Sequence, residues 1–404
     1  QNNIRSVVIF NKEILDRNEY ILLFIMKIGQ ARFANGNWET VSETAGFQPE
    51  KAQLVLAFGD RKLLESLAPY AHLRQLYPAA QIVINSTSGE ILSDKVYDDT
   101  LVVTAIEFEK TTVRLAQTDI SDYKESYEVG KQIACSLDDE NLAAIILISD
   151  GGVVNGSDLI DASNRCLNRL VPVVGGLAGD GDRFERTLVG ANQNPEPGKV
   201  VGIGLYGSSL KIGHGSMGGW DVFGPEREVT KSSYNVLYQI DDRMALDLYK
   251  DYLGKYVDGL PGTALLFPLS IRITPDSKPL VRTILSIDEE TKSMTFAGDI
   301  PQGPRVRFMR ANMDRLVEAS ATAAQTSLQQ LGSSPELALL ISCVGRKLVL
   351  GQRTEEELEV ARDIFGTEPA VTGFYSYGEI APAGPASPGE LHNQTMTITI
   401  LSEQ

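Results

Sequence analysis

Apolar residues gather along this chain in short runs, and each run empties into glycine and a polar residue. Gln53 to Phe58 stops at Gly59-Asp60, and Ala143 to Ile148 stops at Ser149-Asp-Gly-Gly. From Val173 the chain reads Val-Val-Gly-Gly-Leu-Ala-Gly-Asp-Gly, and Leu337 to Ile341 runs into Ser342-Cys-Val-Gly-Arg346. Runs of this length between turn residues predict buried strands with ligand loops at their carboxyl ends. Helical spacing falls between them, over Leu63–Tyr77, Asp122–Leu137, Leu159–Leu170 and Ala311–Leu331. The alternation predicts an α/β protein. Thr100–Phe108 and Thr112–Gln117 alternate around a charged turn and predict a hairpin. Pro261–Arg310 is rich in β-branched residues and predicts antiparallel strands, and Thr354-Glu-Glu-Glu357 reads as a capping box opening a helix.

The pattern repeats. A shift of 193 positions lays Val113-Arg114 on Val306-Arg307, Ile148-Ser149 on Ile341-Ser342 and Gly152 on Gly345. A four-residue insertion then brings Pro172 onto Pro369 and Gly176 onto Gly373, with Asp180 and Glu379 as approximate counterparts. This predicts two related mixed α/β modules with antiparallel strands, an internal duplication whose glycine loops converge on one cleft. The expected division is a peripheral extension over 1–25, with Met26-Lys27-Ile28 as a candidate true start. An N-terminal module over 26–255 and a C-terminal module over 256–404 follow.

Composition narrows the partners. The chain has 404 residues, ample for two domains, and a net charge of −16. A surface this acidic repels phosphate backbones and anionic lipid, so no nucleic acid or membrane partner is expected. The run Ile21–Met26 is far shorter than the roughly 20 residues a spanning helix needs. Three scattered cysteines (Cys135, Cys166, Cys343) argue against a disulfide framework or a cysteine zinc site and suit a reducing, cytoplasmic setting. Three histidines show no metal-ligand spacing. Gly202-Ile-Gly-Leu-Tyr-Gly207 matches the dinucleotide fingerprint by letters, but strand-like sequence follows where a helix is required.

Several motifs, in order, resemble the FIST family, named for F-box and intracellular signal transduction proteins. They are Gly175-Gly-Leu-Ala-Gly-Asp180, Gly219-Trp220, Val229-Thr230, Ser342-Cys-Val-Gly-Arg346, Gly373-Phe-Tyr-Ser-Tyr-Gly-Glu-Ile-Ala-Pro382 and Leu391-His-Asn-Gln-Thr395. The resemblance covers Met26 to the C-terminus. It implies a small-molecule sensory protein with amino acids as suggested ligands. Some relatives look like haem-bound nitric-oxide sensors that work with histidine kinases. A separate partner of that kind is expected here too, since the sequence shows no kinase, receiver or cyclase segment.

The candidate ligand site follows from side-chain chemistry. Backbone N–H groups of Gly175, Gly176 and Gly179 can approach a ligand closely. Asp180 and Glu379 hold a ligand ammonium, or cap turns. Arg346 clamps a carboxylate, or forms an internal ion pair. Tyr375 and Tyr377 present phenols to the cleft, or pack in the core. His392 and Asn393 follow the Pro/Gly-rich stretch Ala381–Gly389, which reads as a lid. Cys343 is a ligand contact, a nucleophile without an evident base, or a core thiol. No catalytic constellation is present, so a binding protein rather than an enzyme is expected, without a metal or resident cofactor. The alternative cofactor is haem on His214, which otherwise reads as a turn histidine.

Overall fold

The computed structural model describes residues 26–274 and 279–404. The reading of residues 1–25 as peripheral lies outside the described residues; Met26 is fully buried.

The chain folds as three topologically similar units. Unit one holds β1 (Lys27–Ala34), β2 (Asn37–Glu43), β3 (Leu54–Gly59), α1 (Arg61–Leu67), α2 (Tyr70–Leu76) and β4 (Gln81–Ser86). It ends with a small hairpin, β5 (Glu90–Leu92) and β6 (Lys95–Tyr97), and β7 (Leu101–Glu107). Unit two holds β8 (Thr112–Asp119), α3 (Ser126–Leu137), β9 (Leu142–Ser149), α4 (Gly156–Cys166), β10 (Val173–Leu177), β11 (Val189–Ala191) and β12 (Lys199–Tyr206). Unit three opens with β13 (Leu210–Met217). An inserted body follows: β14 (Asp221–Ser233), β15 (Val236–Ile240), β16 (Arg243–Met244), α5 (Ala245–Leu253), β17 (Leu269–Arg272), β18 (Leu280–Arg282), β19 (Ile284–Asp288), β20 (Ser293–Phe296) and β21 (Arg305–Arg310). Unit three then resumes with α6 (Met313–Leu331), β22 (Leu337–Cys343), α7 (Val344–Leu350), α8 (Glu356–Phe365), β23 (Ala370–Ser376), β24 (Gly378–Pro382), β25 (Gly389–His392) and β26 (Met396–Glu403).

The three unit sheets run β2-β1-β7-β3-β4-β11, β8-β12-β9-β10-β24-β25 and β13-β26-β22-β23-β5-β6. In each, one parallel pair (β3–β4, β9–β10, β22–β23) sits among antiparallel neighbours. The strand beyond that pair is lent by another unit: β11 of unit two joins β4, β24 of unit three joins β10, and β5 of unit one joins β23. The exchange is cyclic.

Burial on both faces explains why the central strands lack alternation. Ile146 and Ile148 of β9 point into one core shared by all three sheets, with Leu56 and Phe58 of β3 and Leu339 and Ile341 of β22. Ile145 and Leu147 face outward into a core with α3 and α4. Helices α6 and α8 cover the third sheet in the same way, and α1 and α2 the first. The inserted body has a core of its own around Leu237, Tyr249, Phe296 and Phe308. Residues on both sides of 255 share that core, so the packing does not divide there.

The α/β class and most elements are as the hydrophobic pattern predicts. The repeat, however, is threefold. Its 193-position register is right for β9 and β22, but the counterpart of β8 is β13, and β21 with Val306-Arg307 belongs to the inserted sheet. Pairing also places Gly175, not Gly176, opposite Gly373: these two lie beside Leu147 and Leu340 in matching registers. Both have positive φ, +140° and +159°, and a Cβ would sit 2.0 and 1.7 Å from those residues' carbonyl oxygens. The expected hairpin is absent, because β7 and β8 belong to different sheets. The predicted helix over 63–77 is two helices, broken at Ala68 (φ +45°). Thr354 and Glu357 form no capping box; Thr354 Oγ1 donates to the Lys347 carbonyl, 3.2 Å, and Glu357 turns inward. Cys135 and Cys166 are disulfide-bonded between α3 and α4, their Cα atoms 5.5 Å apart, which corrects the reading of three unpaired thiols. Scattered spacing hid the pair because two helices packed in parallel, with Ser126 beside Asn155 at their starts, bring residues 31 apart together near their ends.

Candidate functional site

The loops after β4, β10 and β23 interlock through one repeated hydrogen bond. Ser88 N–H donates to the Tyr375 carbonyl (2.8 Å), Gly179 N–H to Ser86 (3.1 Å) and Tyr377 N–H to Leu177 (3.1 Å). The predicted glycine loops do meet, but against each other. A Cβ on Gly179 would sit 2.3 Å from Ser88 Oγ, and one on Gly176 would sit 2.8 Å from Ile341. Gly181 N–H donates to Thr87, 3.1 Å. These glycines let protein backbone approach protein backbone, so the main-chain groups offered to a ligand are occupied.

The same register settles which carboxylates correspond. Glu379 pairs beside β10 as Glu90 pairs beside β23. Glu90 accepts from Thr87 (2.5 Å) and Thr100 (2.7 Å); Glu379 accepts from Ser376 (2.8 Å) and Thr395 (2.8 Å). Burial pushes Glu90 up to about 8 and Glu379 up to about 7. Unit two has Ala178, Val189 and Lys199 at these three places, so Asp180 is not the counterpart of Glu379.

Asp180 lies in a loop found only in unit two. It accepts from Arg61 Nε (2.8 Å) and Arg183 Nε (2.7 Å), and Arg183 reaches on to Asp60, 2.8 Å. Burial alone would raise its carboxyl, but the two guanidinium groups hold it below the usual value. Arg346 is fully buried and ion-paired with Glu357 (2.8 Å). It also donates to the carbonyls of Gly218 (2.5 Å) and Leu316 (2.8 Å) and to Ser320 (3.1 Å). The carboxylate it clamps is therefore internal. Tyr375 donates to the same Glu357 (2.8 Å), and burial raises its phenol well above the ordinary range. Burial, then the Glu379 charge, raises the Cys343 thiol, which disfavours a thiolate nucleophile. His392 is buried, with Nε2 2.9 Å from the Ala381 carbonyl, and burial lowers it to about 4. The expected lid is the loop of the β24–β25 hairpin. Asn393 is fully buried, and neither its Nδ2 nor its Oδ1 has a hydrogen-bond partner.

His214 is a strand residue opposite Thr399, not a turn histidine. It shares a face with Leu210 and Ile212, which pack in or against the central core, while Gly213 and Gly215 lie against α6 carbonyls. The strand leaves no face for a haem macrocycle, so these residues do not fit the group.

Of the predicted site residues, Tyr377 opens onto a large cavity. This cavity, about 500 Å³, lies between unit two and the inserted body. Gly151–Asn155, Phe184–Thr187 and Tyr377 form one wall, and Asn235, Leu285 and Phe296–Asp299 the other. Phe184 stacks on Tyr377 with centroids 4.6 Å apart and an interplanar angle of 17°. Asn155 caps α4 through Oδ1 and donates from Nδ2 to Asp299, 3.2 Å, bridging the two bodies. Burial, then the Asp299 charge, raises nearby Asp158. Sequence reasoning missed Phe184, Asn155 and Asp299. Only Gly298-Asp299, a repeat of the glycine–aspartate pairing at 59–60 and 179–180, signalled any of them.

A FIST N domain model matches residues 53–243, and a FIST C domain model matches 245–382. The chain belongs to the FIST family. FIST domains are sensory domains implicated in signal transduction and small-ligand binding. No curated protein matches the sequence. Among solved structures, a cyanuric acid hydrolase from A. caulinodans aligns over 94% of this chain and 99% of its own, at 10% identity and a TM-score of 0.37. A likeness that loose says nothing about this FIST protein's chemistry. No described helix is long and apolar enough to cross a membrane.

Proposed function

We propose that this FIST protein is a small-molecule sensor whose ligand sits in the cavity between unit two and the inserted body. The observation that carries this reading is a space of about 500 Å³ walled by two separately cored bodies. That volume suits an amino acid or a metabolite of similar size. Binding there favours one placement of the inserted body over another and so changes the surface shown to a separate signalling protein, such as a histidine kinase. The role is binding, not catalysis: Cys343, the one nucleophile considered, is a buried thiol. A cytoplasmic setting suits a metabolite sensor, and the Cys135–Cys166 bond is the feature that argues the other way.

Thermal-shift screening against a metabolite panel tests the reading. A ligand is expected to raise the melting temperature. Val153→Trp, at an exposed position on the cavity wall, is expected to abolish that rise with the fold intact. A ligand whose effect survives both Val153→Trp and Leu285→Trp, from opposite walls, places the site elsewhere. The gas-sensor alternative draws nothing from His214; a Soret band after haem reconstitution would restore it.

A further inference from the structure

The cyclic exchange creates three equivalent niches. In each, the segment that follows the first strand of the parallel pair faces the loop of the next unit. Residues Asp60, Asp150 and Cys343 open these segments, as each donates its N–H to the carbonyl at the start of the closing strand: Thr100 (3.0 Å), Lys199 (2.9 Å) and Thr395 (3.1 Å).

Two niches are plugged by a cation from the chain itself. In unit three, Lys347 of α7 reaches across to the Ser88 carbonyl (2.9 Å) and to Asp98, its ammonium 5.6 Å from the Tyr375 ring centroid. A smaller cavity of about 290 Å³ remains beside it. In unit one, Arg61 of α1 reaches Asp180 (2.8 Å) and Glu185 (2.7 Å). In unit two the matching segment is Gly151-Gly-Val-Val-Asn155, which has no cation. A side chain at Gly151 is barred, since a Cβ would sit 2.1 Å from the Ala178 carbonyl. The niche is open there, and it is the large cavity.

Its charge is set for what is missing. Asp299 faces the space, with Asp158 close enough to feel its field. The nearest cations are already engaged: Arg186 pairs with Glu65, and Arg282, whose charge Asp299 helps to hold, donates its hydrogen bonds to the carbonyls of Asp299 (3.2 Å), Val281 (3.2 Å) and Leu391 (3.3 Å) and not to the Asp299 carboxylate. The Phe184–Tyr377 stack supplies an aromatic wall, as Tyr375 does for Lys347.

The geometry points to a ligand bearing a guanidinium or primary ammonium group, which occupies in unit two the niche that Arg61 and Lys347, entering from different places along their segments, occupy in the other units. This rests on the cavity being the ligand site. The ligand's cation lies against Asp299 and the Tyr377 ring, and its apolar stem lies along Val153 and Leu285.

Isothermal titration of the full chain with agmatine, L-arginine, putrescine, butylurea and succinate tests it. Agmatine, arginine or putrescine is expected to bind, with neutral butylurea and anionic succinate weaker by about tenfold or more. Asp299→Asn is expected to weaken the cation about tenfold, the loss of one charged hydrogen bond. Val153→Arg is expected to plug the niche and abolish binding, while Leu348→Arg, beside the smaller cavity, leaves it intact. Butylurea or succinate binding that matches the cations and that Val153→Arg removes would overturn the cation assignment but keep the cavity as the ligand site. Cation binding indifferent to both Val153→Arg and Asp299→Asn would overturn both. If none of the five compounds binds, the cation assignment fails, and the wider metabolite screen still decides the cavity.

Discussion

Units one and three of this FIST protein differ from unit two at equivalent places in one sheet plan. The outer units each bury a glutamate between two hydroxyls, Thr87–Glu90–Thr100 and Ser376–Glu379–Thr395. They also fill their own niches with Lys347 and Arg61. Unit two has Ala178, Val189 and Lys199 at the first set of positions and glycine and valine at the second, and there the cavity opens. Topology is set by apolar runs and backbone pairing and tolerates all three chemistries. The site is thus a property of one unit's departures from the plan its neighbours keep.

The largest expected effect probes a contrast inside the plan. Arg346 of unit three matches Leu63 of unit one and Val153 of unit two. Glu357→Ala strands a buried guanidinium and is expected to cost about 3–5 kcal/mol in urea unfolding. The double variant Arg346→Leu/Glu357→Leu, which puts unit one's leucine at 346 and removes both charges, is expected to recover most of that loss. A double variant as unstable as the single would show that the position needs the ion pair itself. The disulfide comes next. Unit two ties its two outer helices covalently, whereas unit three packs α6 on α8 through side chains such as Ala324 and Leu358. Cys135→Ser/Cys166→Ser is expected to lose about 3.7 kcal/mol for a sequence separation of 31. Unchanged stability would mean that the two helix pairs need no crosslink.

The buried glutamates predict opposite pH behaviour from a salt-bridged acid. Their folded values, about 8 and about 7, lie above the unfolded value of roughly 4.3. The folded state then holds more protons than the unfolded one, so stability falls as pH rises from the unfolded value toward 7 to 8. Glu90→Gln and Glu379→Gln are each expected to flatten that fall by on the order of 2 kcal/mol, read as melting temperature against pH. Asp180, held low by Arg61 and Arg183, contributes in the other direction, its stabilisation lost only as acid protonates it. The smallest effect is that of Tyr377→Phe. It removes the bond to the Gly181 carbonyl (3.3 Å) and the one accepted from the Phe184 N–H (3.2 Å) but keeps the Phe184 stack, an expected loss of about 1 kcal/mol.

Much of the fold was legible in the sequence, because β9, β10 and β22 are apolar on both faces and end at glycine. The third copy was hidden because unit one has Ile84 where the other two need Gly175 and Gly373, so the most visible mark of the repeat is missing there. The family motifs were legible too, yet the residues read from them as ligand contacts serve mostly to lock the units together. The choice between ligand clamp and internal ion pair stayed open for Arg346 because its partner Glu357 appeared to belong to a helix cap. The cavity could not be read, since Phe184, Asn155 and Asp299 are far apart in sequence and meet only when the inserted body folds back onto unit two.

The lent strands also bear on how the protein is made. Gly378–Pro382 leaves the ribosome long after Val173–Leu177, whose edge it covers. Until then the middle sheet presents an open edge. A prematurely terminated product is therefore expected to be a substrate for chaperones and proteases rather than a working half.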